Sequence, residues 1–272
     1  MEGLLEQDGP IQIVRDGPIG TIILNRPGQA NTITLQLTVD MNDALESLDN
    51  DEDIGCILIT GAGEKHFCGG ADLRKIEEMI TDEGVTGDPR RNFIRHIEEV
   101  SKPVIAVING AAMGGGCEIA LACDYRIIVD DAKIGLPEIR FGALPGAGGT
   151  QRLPRLIGLA KAKEMIFVGQ PLSADEAQRI GLVTAIASRN ELQNVARKLA
   201  SQLVDKAPYA LAAAKNLLNQ SLDLSLDEGL ALERRLVNGM GSEAERRAFR
   251  EKSAAENQVY AGIFSNNNGD SN

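Results

Sequence analysis

Three consecutive glycines, Gly114-Gly115-Gly116, stand between the apolar run VIAVIN (104–109) and a second apolar run that opens with Cys117-Glu118. The pattern predicts a buried strand, a tight glycine turn and then a helix. Glycine permits positive φ and lets the backbone approach whatever it faces. The first N–H groups of a helix lack partners inside it, and the helix dipole behind them favours negative charge. A second turn follows the same plan. The apolar run CILIT (56–60) leads through Phe67-Cys68-Gly69-Gly70 into Ala71-Asp72 and an expected helix with Leu73, Ile76, Met79 and Ile80. One N–H from each turn, aimed at one carbonyl oxygen, would make an oxyanion hole. Tight packing alone would also account for either turn. Neither is a nucleotide motif, because the dinucleotide and phosphate-loop spacings are both incomplete.

The rest of the chain supplies a frame for these turns. Two short strands are expected within 11–24 around Asp16-Gly17-Pro18, and a helix over 33–48 carrying Leu35, Val39, Met41, Leu45 and Leu48. A helix with Phe93, Ile97 and Val100 and a strand over 125–129 follow, and 135–149 reads as a long Gly/Pro-rich loop. Helices are expected over 159–168, 173–180, 190–204, 208–221 and 225–250. The polar stretch 81–90 reads as a loop, and the end from about 265 as a disordered tail. The implied fold class is α/β over residues 1–203, with a helical region over 204–272. With no Trp, three Tyr and six Phe, the core must rest on Ile, Leu, Val and Ala.

The balance of 28 Lys+Arg against 39 Asp+Glu, a net charge of −11, argues against nucleic acid as the main partner. No apolar run reaches the roughly 18–20 residues a membrane span needs, and MEGLLEQDGP is unlike a signal peptide. Cys56, Cys68, Cys117 and Cys123 form no CxxC pair and sit in apolar segments, which suits reduced thiols in a cytoplasmic protein. Serine-hydrolase and zinc motifs are absent, so no metal is expected.

Two carboxylates lie in apolar surroundings: Glu118 in the first turn of its helix, and Glu138 in LPEIRF. Burial would raise both pKa values, and each charge would oppose the other, so that one acts as acid and one as base. The alternatives are plain. Glu118 can stabilise a helix N-terminus, and Glu138 can pair with Arg140 or Arg152. Asp72 reads as a helix cap, and His66 and His96 as surface residues.

Taken together, NGAAMGGGCEIALACDYRI (109–127), FCGGADL (67–73), IGLPEIRFGALPGAGGTQRLPRLIG (134–158), NRPGQAN (25–31) and GQPLSADEAQRIGLV (169–183) resemble, in order, the motifs of the enoyl-CoA hydratase/isomerase (crotonase) superfamily. The resemblance implies a spiral of ββα units with C-terminal helices that build trimers, usually stacked into hexamers. It implies an oxyanion hole from the N–H groups of Ala71 and Gly115. It also gives Glu118 the role of activating water for attack at C3, and Glu138 that of protonating C2. The product of a trans-2-enoyl-CoA is then a 3-hydroxyacyl-CoA, with no cofactor, because the thioester is the electron sink. CoA contacts are implied at Arg26, Ala30, Gly69, Ala71, Asp72, Leu73, Arg74, Gly114 and Gly115. Other reactions of the superfamily remain alternatives: double-bond isomerisation, or hydration of a branched or cyclic enoyl-CoA. A non-catalytic or RNA-binding role fits the acidic charge poorly. The sequence departs from the family pattern at NTIT (31–34) and in the tail around Lys252.

Overall fold

β1 (Leu5–Glu6), β2 (Ile11–Asp16) and β3 (Ile19–Leu24) form an antiparallel meander in the computed structural model, which describes residues 5–6, 9–72 and 92–256. Thr34 caps the next helix, Leu35–Asp49, by accepting a hydrogen bond from the Leu37 N–H. The helix buries Leu37, Met41, Leu45 and Leu48 completely. The i, i+4, i+8, i+11 spacing puts all four on one stripe, and each contributes about 1.5–3 kcal/mol of burial.

From there the chain climbs in repeated steps. β4 (Cys56–Gly61) lies parallel to β3 in the first sheet, and β5 (His66–Cys68) starts a second sheet. After the helix Phe93–Glu99, β6 (Val104–Ile108) adds to β4, β7 (Ala111–Met113) adds to β5, and the helix Gly115–Ala122 follows. β8 (Tyr125–Val129) and β9 (Lys133–Gly135) repeat the step. β10 (Leu172–Ser173) closes the second sheet antiparallel to β9, and β11 (Ala185–Ala187) extends the first. The strand orders are β1-β2-β3-β4-β6-β8-β11 and β10-β9-β7-β5. Each unit contributes one strand to each sheet, so equivalent turns stack along the spiral. Asn109 ties two of them together. Its side chain accepts from the Gly61 N–H and donates to Gly61 O and Gly63 O.

Ala106, Val107, Ile108, Ile57 and Ile59 are fully buried, as a parallel sheet with both faces covered requires. All four cysteines are free and buried. Among the described residues no helix is long and apolar enough to cross a membrane, and no group of three or more His, Cys, Asp or Glu could hold a metal ion.

The chain divides into compact units at Lys206/Ala207. In the second unit the helix expected over 225–250 is two helices, Leu226–Gly239 and Glu243–Glu256. Gly241 (φ +62°) stands between them, and Ser242 and Glu245 form a new start, with the Ser242 N–H donating to the Glu245 carboxylate and the Glu245 N–H to the Ser242 hydroxyl. The expected helix after Asp72, the stretch 81–90, and the tail from about 265 lie outside the described residues.

Candidate active site

The two glycine turns meet. Gly70 adopts φ +94°, and a methyl group on it would lie 2.9 Å from Met113 O and 3.2 Å from Gly115 N. A methyl on Gly116 would stand 2.1 Å from Cys68 O, so the second helix can start against the first turn only without a side chain there. Ala71 makes a parallel bridge with Ile33: the Ile33 N–H donates to Gly70 O, and the Asp72 N–H donates to Ile33 O. That pairing turns the Ala71 N–H to the other side of its strand. Gly115 opens its helix, whose first internal bond runs from the Glu118 N–H to Gly114 O. Neither the Ala71 N–H nor the Gly115 N–H has an acceptor among the described residues.

The two glutamates approach the same turn. A methyl on Gly114 would be 3.1 Å from Glu138 Oε1. Glu138 belongs to a short 3-10 turn, Glu138–Phe141, and pairs with neither Arg140 nor Arg152; its Oε2 is buried without a partner among the described residues. Burial pushes its carboxyl up to about 7, its own backbone N–H opposing the rise and the nearby Glu118 charge adding to it. Glu118, 2% exposed, is differently supported. Its Oε1 accepts from the N–H groups of Ala147 and Gly149, both at 2.8 Å. Gly149 is the first residue of the helix Gly149–Ile157, so Glu118 caps a second helix N-terminus besides lying in the first turn of its own. Burial holds Glu118 above the ordinary carboxylate range, and these N–H donors and Arg152 offset only part of that rise. Cys117, immediately before Glu118, is buried and held neutral by burial and by both acids, and burial pushes the Cys68 thiol up to about 12. Neither is poised as a nucleophile.

Other site residues cluster at the first turn. The Gly69 N–H donates to Ala30 O at 2.8 Å, and the buried Asp72 carboxylate takes a 3.4 Å contact from Arg26, which also bonds Thr32 and Gln29. Arg26 thus joins the 25–31 segment to the glycine turn. Asn31 (φ +52°) anchors both, donating to Ala62 O and His66 O while its Oδ1 accepts from the Arg26 N–H. The structure brings together Arg26, Ala30, Gly69, Ala71 and Asp72 with Gly114, Gly115, Glu118 and Glu138; Leu73 and Arg74 lie outside the described residues. The sequence reading missed Asn31 and the amides of Ala147 and Gly149. Gly148-Gly149 was the available signal, a third glycine turn opening a helix.

An acid raised to about 7 from an ordinary 4.5 binds protons more tightly in the folded state. Stability it contributes is full below about 4.5 and is lost as pH rises through about 7. Glu138→Gln, which removes the charge, should therefore melt above the parent protein at pH 8, with the gap narrowing towards pH 4.5. Thermal unfolding at both pH values checks this, and an unchanged gap would refute it.

The enoyl-CoA hydratase/isomerase family model matches residues 15–258. The chain is 41% identical over 220 residues to the short-chain-enoyl-CoA hydratase of Clostridium acetobutylicum, covering 80% of this chain and 84% of that one. It is 35% identical over 224 residues to the crotonyl-CoA hydratase of Syntrophomonas wolfei, covering 82% and 86%. The crystal structure of enoyl-CoA hydratase from Bacillus anthracis is similar with a TM-score of 0.80 at 37% identity, over 90% of this chain and 97% of that one. The chain belongs to the enoyl-CoA hydratase/isomerase family. Its α/β architecture, with ββα steps and C-terminal helices, is the crotonase fold.

Proposed function

We propose that the protein is an enoyl-CoA hydratase that adds water syn across the 2,3 double bond of a trans-2-enoyl-CoA to give a 3-hydroxyacyl-CoA. The observation that carries this reading is the meeting of two acceptor-free turn amides with two unlike carboxylates, one cradled by N–H donors and one left with a buried bare oxygen. The cradle favours ionised Glu118, and the bare oxygen favours protonated Glu138. Water, deprotonated by Glu118, attacks C3; the π electrons move to the thioester oxygen, held by the N–H groups of Ala71 and Gly115; and Glu138 gives its proton to C2. Exchange with solvent resets the two acids. The thioester accepts the electrons, so the reaction calls for no redox cofactor or metal. The CoA portion would lie along Arg26, Ala30, Gly69, Ala71 and Asp72. The exposed Leu218, Leu222, Leu226 and Val237 of the C-terminal helical region support a homo-oligomer, a trimer or dimer of trimers.

Adding the protein to crotonyl-CoA should abolish the absorbance of the conjugated enoyl thioester as product forms. No loss with any enoyl-CoA, straight-chain, branched or cyclic, would overturn the hydratase reading. Reaction of branched or cyclic enoyl-CoAs alone would change the acyl group and leave the chemistry in place.

A further inference from the structure

The cradle of Glu118 is itself held by an ion pair that the reaction scheme does not use. Arg152 lies on the helix Gly149–Ile157, one turn beyond Gly149. Its Nε and Nη2 donate to Glu98 Oε1 and Oε2, both at 2.6 Å, a two-pronged pairing with the helix Phe93–Glu99. Its third nitrogen, Nη1, donates to Ala147 O at 2.7 Å. Ala147 is the residue whose N–H bonds Glu118 Oε1. The guanidinium fills the space over Gly148, where a methyl group would lie 1.9 Å from Nη1, so that glycine and arginine fit only as a pair.

The consequence reaches the carboxylate. With Oε1 occupied by two N–H donors, Glu118 Oε2 is left without a hydrogen-bond partner among the described residues. Any rotation of the 147–149 backbone would release Oε1 and let the carboxylate turn. We propose that Arg152, clamped by Glu98, is a positioning residue that fixes the 147–149 cradle and thereby makes Oε2 the oxygen of Glu118 that takes the proton from water. This rests on the hydratase reading above.

The test compares steady-state hydration of crotonyl-CoA by the full-length parent protein and by Glu118→Gln, Arg152→Gln, Arg152→Lys and Glu98→Gln. A displaced carboxylate costs alignment more than binding, so Arg152→Gln should lose about 10–10²-fold in kcat with KM within about threefold. Lysine cannot keep both prongs and the Ala147 bond, so Arg152→Lys should recover only part of the loss. Glu98→Gln should fall in the same direction and carries the test if the Arg152 variants do not fold. In a Glu118→Gln background Arg152→Gln should add nothing, because the group it positions is gone; a purely structural role would add its loss there too. Unchanged kcat in folded Arg152→Gln or Glu98→Gln, or full additivity with Glu118→Gln, would overturn the proposal. Full hydration by Glu118→Gln would instead overturn the reading beneath it.

Discussion

Glu118→Gln and Glu138→Gln should each lower kcat for enoyl-CoA hydration by about 10²–10⁴-fold, the contribution typical of a positioned acid or base. KM should move far less, since neither change touches the CoA side. The two losses have different origins. Glutamine at 118 can still accept the N–H bonds from Ala147 and Gly149 through its carbonyl oxygen, so the cradle survives and only the base is lost. Glutamine at 138 brings an N–H₂ group into a place where Oε2 is buried without a partner, and it cannot release a proton to C2.

The pH profile separates the roles further. Glu138 works in its protonated form, and its carboxyl is pushed up to about 7. Hydration should therefore fall as pH rises through about 7, and that limb should vanish from the residual activity of Glu138→Gln. Initial rates across pH 5–9, with stability monitored in parallel, check it. An alkaline limb that persists in Glu138→Gln would take the acid role away from this residue.

How far the sequence could be read depended on segment length. β4, β6 and β8 are runs of five or six residues, almost entirely apolar, and were legible. β5, β7 and β9 span three residues each, too few to establish a period, so the sequence does not reveal them as strands. Yet β5 and β7 deliver the two glycine turns to each other. The candidate catalytic residues were visible because a carboxylate in an apolar run is uncommon, whereas their supports were not. Arg152 finds Glu98 fifty-four positions away, and no local pattern announces such a partner. The break at Gly241-Ser242 was available in Ser242 and Glu245, a capping pair at the right spacing, but the apolar periodicity on either side masked it.

Gly70→Ala should be nearly as damaging to activity as loss of either glutamate, although it removes no functional group. At φ +94° an alanine is strained by about 1–3 kcal/mol, and its methyl would press on Met113 O, 2.9 Å away, and Gly115 N, 3.2 Å away. Neither is the end of a flexible side chain that could swing aside. Relief comes only by moving one turn from the other, which separates the N–H groups of Ala71 and Gly115. Losing the contribution of one such donor costs about 10²–10³-fold in kcat. Gly229→Ala is the control: that glycine lies inside the helix Leu226–Gly239 with nothing within 4 Å of the added methyl, so it should keep full activity and gain up to about 1 kcal/mol. Rates and unfolding curves measured together on both variants decide the matter. A stably folded Gly70→Ala protein with the parent's kcat would show that the contact between the turns does not set the chemistry.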